Sequence, residues 1–285
     1  MLRLLTNRRF LVELFAVSNI AFLAVDIFMA HSTNSFANGN EWIPVVFSVA
    51  VTVLLILAAA IGRLERFHTL YHWTGILVGI GAIAVGIGGM LFHLDSQFFQ
   101  QLSIKNLVYT APFIAPLAYT GLGFLLLANR MIPENAPEWG RWVLFLALGG
   151  FVGNFVLSLC DHAQNGFYYW YEWIPVVSAG LAVGFLLTPF ISTVNRLFYR
   201  LCFLVLAVQA FVGLLGFYFH IAGDLGGVSA NLVDDFLYGA PLFAPLLFTN
   251  LAVLCAIALW DIIATQPQFA AERKSNADAA PQHVT

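Results

Sequence analysis

His31-Ser-Thr-Asn34-Ser-Phe36-Ala-Asn-Gly-Asn-Glu41-Trp42-Ile-Pro44-Val-Val is met again, 131 positions on, as His162-Ala-Gln-Asn165-Gly-Phe167-Tyr-Tyr-Trp-Tyr-Glu172-Trp173-Ile-Pro175-Val-Val. The hexapeptide Glu-Trp-Ile-Pro-Val-Val is identical in both places, and His, Asn and Phe keep their register ahead of it. The echo continues downstream. Gly86-x-x-Gly89-x-x-x-His93 is matched by Gly213-x-x-Gly216-x-x-x-His220, and Tyr109-x-Ala-Pro112-x-x-Ala-Pro116 by Tyr238-x-Ala-Pro241-x-x-Ala-Pro245. A repeat of half a chain governs every other reading of it. It also sets two diverged copies side by side, so that what both retained can be seen.

Charged residues make up 9% of the chain and hydrophobic ones 60%, against about 25% charge in an ordinary soluble domain. Apolar runs near 20 residues recur, long enough to cross a hydrocarbon core of about 30 Å as helices. The sequence therefore reads as an all-α integral membrane protein. The net charge of −3, with no basic cluster or stacking motif, gives no support for nucleic-acid binding. Cys160, Cys202 and Cys255 each lie in an apolar stretch and read as small core side chains rather than a disulfide framework.

The expected spans are 10–31, 43–62, 71–93, 107–128, 141–161, 173–193, 200–220 and 236–262. That gives eight transmembrane helices as two tandem four-helix repeats. The first repeat is 1–128, a cytoplasmic linker follows at 129–140, and the second repeat is 141–265. The polar tail 266–285 is expected to be disordered. Pro112 and Pro116 are expected to bend the fourth span. With four spans per repeat, an even number, the halves insert in parallel orientation. Arg3, Arg8, Arg9, Arg63, Arg66, Arg130, Arg141, Arg196, Arg200, Arg273 and Lys274 then share one side, with Lys105 alone opposite. The positive-inside rule makes that side cytoplasmic, with both termini there, in a bacterial-type inner membrane.

In this topology His31, Glu41 and His93, and likewise His162, Glu172 and His220, come to one height at the outer ends of their spans. Imidazole with carboxylate suits iron, zinc, manganese or copper, and iron is the favoured ion. Ionisable residues at membrane depth are functional candidates. Asp26, Asp161, Asp95 and Asp224 stand close in sequence to the histidines, as second-shell partners or additional ligands. Asn19-x6-Asp26 aligns with Asn154-x6-Asp161 if one helical turn is inserted before His31. Tyr109 and Tyr238 are kept near the outer end and could serve the site or an aromatic belt. For any one residue, an interfacial helix end explains Glu or His as well as a ligand role does. Six kept in register favour the metal site. His68 and His72, spaced i, i+4, are not kept: Asn195 and Tyr199 replace them. The Gly79-x-Gly81-x-x-Ala84 run lacks the strand and acidic partner of a dinucleotide site, and its glycines suit helix packing. No nucleophile elbow or phosphate loop is present.

Three functions fit. The first is a non-haem, two-metal oxidoreductase acting on a hydrophobic or membrane-associated substrate, supplied with electrons by a donor protein. The second is a cytochrome with two b-type haems, His31 with His93 and His162 with His220 as axial pairs. The paired histidines on two four-helix units resemble haem A synthases in outline, although the Glu-x3-His-x-Arg motif of an early span is missing here. The third is a transporter of metal or small molecules, with the kept prolines and glycines as bending elements.

Overall fold

The structure is a computed structural model and describes residues 6–62, 64–133, 136–227, 229 and 231–265. The expected tail 266–285 lies outside the described residues, as do Arg3, Arg63, Arg273 and Lys274 of the charge pattern.

Asn7 accepts a hydrogen bond from the Phe10 N–H and starts α1, Arg8–Ser32. A 3₁₀ turn, Gly39–Glu41, leads into α2, Trp42–Ile61, with Pro44 in the first turn, where its missing N–H is no loss. α3, His68–Asp95, follows a short basic connection. A six-residue helix α4, Ile104–Tyr109, precedes α5, Leu117–Met131. The second half runs α6, Trp139–Gln164; a 3₁₀ turn, Trp170–Glu172; α7, Trp173–Ile191; α8, Arg196–Leu225, capped by Asn195; α9, Leu232–Tyr238; and α10, Leu246–Thr265. The described residues are helical without a strand.

Among the described residues seven helices, all but α4, α5 and α9, are long and apolar enough to cross a membrane. Their outward faces fit that setting. Val46, Val49, Val53 and Leu57 on α2, and Leu77 and Ile80 on α3, are all more than half exposed, which in water would be an aggregation surface. Length and composition of these helices are those of a helical membrane protein.

The segment expected at 107–128 is not one bent helix. Thr110 is extended (ψ 161°), turns occupy the next residues, and α5 begins only after Pro116. At 236–262 the break falls at Gly239 (ψ −152°), between α9 and α10. Two prolines four apart remove two consecutive-turn donors, so the helix starts after the second rather than kinking through both.

Packing closes two rings. α1 lies against α2, α2 against α3, α3 against α5, and α5 against α1; α6 lies against α7, α7 against α8, α8 against α10, and α10 against α6. The rings meet where α5 packs on α6 and α10 on α1. The glycines set the closest approach. A Cβ on Gly86 would stand 2.7 Å from the Thr120 nitrogen, and one on Gly213 2.8 Å from the Pro245 oxygen. Both gaps are backbone contacts that only glycine permits. Gly89 and Gly216 lie equally close to the rings of Pro116 and Pro245. The two kept motifs, Gly-x-x-Gly-x-x-x-His and Ala-Pro-x-x-Ala-Pro, thus pack on each other.

The end opposite the histidines is tied by charge. Glu13 on α1 and Arg130 on α5 make a two-pronged ion pair at 2.6 and 2.5 Å, both side chains nearly buried. Asn129 donates to the same carboxylate, and the Arg130 guanidinium lies 3.9 Å from the Tyr71 ring centre. Arg8 pairs with Asp261 at 3.0 Å, joining α1 to α10.

Candidate metal centre

The loop between His31 and Glu41 is held by its own side chains. Asn34 Oδ1 accepts from the Phe36 N–H, which also reaches the His31 carbonyl, and Asn34 Nδ2 donates to Glu41 Oε1 at 3.1 Å. Phe36 is thereby held at φ 52°, in the left-handed region, with its ring stacked on Trp42 at 4.0 Å. The second loop repeats this. Asn165 bonds the Phe167 N–H and donates to Glu172 Oε1 at 3.2 Å, Phe167 sits at φ 51°, and its ring stacks on Trp173 at 3.8 Å. Left-handed backbone at a non-glycine residue is strain, and strain concentrates where geometry matters. Here Asn, Phe and Trp together fix one oxygen of the glutamate.

The other oxygen faces the histidines. Glu41 Oε2 lies 3.5 Å from His31 Nδ1, and Glu172 Oε2 3.7 Å from His162 Nδ1. Both oxygens are buried with no hydrogen-bond partner, and a buried, unpaired carboxylate oxygen is costly. The ring of His93 stands 6.1 Å from that of His31, centre to centre, and His31, Glu41 and His93 interact electrostatically. His162 interacts in the same way with Glu172 and His220.

His93 Nδ1 is 2.9 Å from the Pro112 carbonyl, and His220 Nδ1 is 2.8 Å from the Pro241 carbonyl. A carbonyl only accepts, so Nδ1 carries the proton and donates. In the neutral ring, Nε2 then holds a lone pair, the tautomer a metal ligand needs. The Ala-Pro-x-x-Ala-Pro motif was expected to bend a helix; it interrupts the helix instead and orients a histidine. That the prolines are kept in both halves was the available signal.

The three donors of each half are neighbours rather than a closed shell. Among the described residues no three His, Cys, Asp or Glu side chains stand ready to hold a metal ion.

The aspartates do not form one class. α1 and α6 begin 131 positions apart, at Arg8 and Trp139, the same offset that separates His31 from His162. No turn is inserted, and the proposed alignment of Asn19-x6-Asp26 with Asn154-x6-Asp161 fails. Asn19 pairs instead with Asn250 at the seam between α1 and α10. Asp26 interacts with Tyr119 inside the first ring, whereas Asp161 lines a cavity in the second. Asp224 Oδ1 accepts from the Ala240 N–H at 2.8 Å; in the first half Ser96 Oγ receives the matching Ala111 N–H, and Asp95 is exposed. Asp224 Oδ1 thus fastens a loop, while its buried Oδ2 has no hydrogen-bond partner. Tyr109 reaches the Gln164 carbonyl and is half exposed, as Tyr238 is at 64%. His68 and His72 pack beside Tyr71 and Trp73.

The second ring holds a half-open cavity of about 570 Å³, with His162, Glu172 and His220 in its wall. Models of known protein families, curated proteins and solved structures were compared with the chain, and none matches it.

Proposed function

We propose that the chain is an integral membrane metalloprotein with one two-histidine, one-carboxylate site in each half: His31, Glu41 and His93 in the first, His162, Glu172 and His220 in the second. The observation that carries the reading is the buried second oxygen of each glutamate, unpaired and 3.5 or 3.7 Å from an imidazole nitrogen. Those gaps are too long for good hydrogen bonds. They approach the separation of about 3 Å between two donors bound to one metal at roughly 2.1 Å. Two histidines and one carboxylate with open positions suit iron(II) best, and zinc takes the same set. Such a metal would supply Lewis-acid or redox chemistry. The protein's share is to hold the Nδ1–H tautomer of His93 and His220 and to aim Glu41 and Glu172.

In this reading the fold is eight spans in two parallel repeats, with α5 as a short eighth span completed by the turns before it. The histidine end faces outward from a cytoplasmic membrane, and Arg8, Arg130, Arg141 and Arg196 mark the inner side. The reaction class is oxidoreduction of a membrane-soluble substrate, with electrons from a partner protein.

The test is metal content per chain in detergent-purified protein, with a visible spectrum of the same sample. About two metals per chain without a Soret band is the expected result. His93→Ala and His220→Ala should each remove about one, and the pair both, with helicity unchanged by circular dichroism. A Soret band that both substitutions abolish would replace this reading by the two-haem cytochrome. Unchanged metal in the double variant would remove the ligand assignment altogether.

A further inference from the structure

The two halves share a ligand pattern but not an interior. In the first ring Tyr119 is 1% exposed, donates to the Pro44 carbonyl at 2.9 Å, and meets Ser48 Oγ at 2.5 Å. That closed network fills the space between α2 and α5. At the matching positions the second ring has Phe248 and Ala179, and Asn154 stands where the first has Leu23. Phe248 and Ala179 carry no hydroxyl to bridge those helices, and a cavity of about 570 Å³ lies beside Phe248. Asn154 lines it, is 6% exposed, and its Nδ2 has no hydrogen-bond partner. A buried amide donor in an apolar chamber is costly unless something accepts from it.

We infer that this cavity binds an uncharged, carbonyl-bearing lipophile of the quinone class, with Asn154 Nδ2 donating to a ring carbonyl. The volume falls within the range of small-molecule sites, roughly 300–1,000 Å³. The wall is mostly apolar and includes Phe219 and Phe248. Among the described residues no Lys or Arg lines it, while Asp161 and Glu172 do, so an anionic lipid is disfavoured. The inference rests on the metal reading only for what the bound ring faces, namely His162, Glu172 and His220. It assigns substrate binding to the second half, where the cavity lies beside His162, Glu172 and His220.

The experiment is equilibrium dialysis of the full chain in a non-ionic detergent against duroquinone and against durene, the same methylated ring without carbonyls. Metal is assayed in each sample, and the titration is repeated after chelation. One duroquinone per chain, bound about tenfold more tightly than durene, is expected. Asn154→Leu should erase the difference. Equal affinity for the two probes in the unmodified chain, or a preference for duroquinone that survives Asn154→Leu, would overturn the inference. Duroquinone binding that persists in protein with no metal affinity would support it while removing the metal reading.

Discussion

Replacing Glu13 by Ala, or Arg130 by Ala, is expected to lower the thermal unfolding midpoint in detergent by on the order of 10 °C. Either change leaves one member of a nearly buried ion pair without its partner. That costs about 3–5 kcal/mol, because the remaining charge has lost its water as well as its counter-ion. The pair Glu13→Leu with Arg130→Leu should recover most of the loss. The protein carries the control within itself. The equivalent positions in the second half are Leu144 and Leu259, at 1% and 0% exposed, and Phe198 stands where Tyr71 does in the first. One half holds these helices together with a salt bridge under an aromatic ring, the other with plain packing. Scanning fluorimetry or loss of circular dichroism on heating would decide it. Single variants within a degree or two of the parent would show that the pair contributes little; a double variant as weak as the singles would show that apolar packing cannot take its place.

Gly86→Leu should remove about one metal from the chain although no donor is altered. A side chain there meets the backbone of α5, the Thr120 nitrogen at 2.7 Å and the Pro116 oxygen at 2.9 Å, and backbone cannot swing aside as a side chain does. α5 and the turn before it must retreat from α3, carrying the Pro112 carbonyl away from His93 Nδ1. Losing such an outer contact weakens metal binding by about 10–100-fold. Gly88→Leu is the matched control, since nothing lies within 4 Å of a Cβ at that position. Metal analysis with circular dichroism on both variants provides the comparison. Full metal content in a folded Gly86→Leu protein would mean that the proline carbonyl does not govern the histidine.

The helices were legible because hydrophobic length reports directly on a membrane span. The expected span 10–31 is found as Arg8–Ser32, 71–93 as His68–Asp95, and 173–193 as Trp173–Ile191. The segments at 107–128 and 236–262 misled for a physical reason. Hydropathy does not register a missing N–H, so runs broken at Thr110 and Gly239 look continuous. The repeat singled out His31, Glu41 and His93 with their counterparts, and in each half the structure places the Glu beside the first His. It could not show what the aspartates do, because their equivalence depends on helix register. Nor could it show the tautomer of His93, which depends on a carbonyl, a group every residue has. The Asn154 chamber was invisible for the opposite reason: it arises where the two copies differ.

The ion pair between Arg8 and Asp261 fastens the first described helix to the last, and α10 packs on α1 much as α5 packs on α6. The order in which the helices are strung is therefore separable from the order in which they touch. A circularly permuted chain, fused from Thr265 to Thr6 through a flexible linker and opened between Met131 and Trp139, would preserve every helix contact. Its two halves would merely exchange their places along the polypeptide.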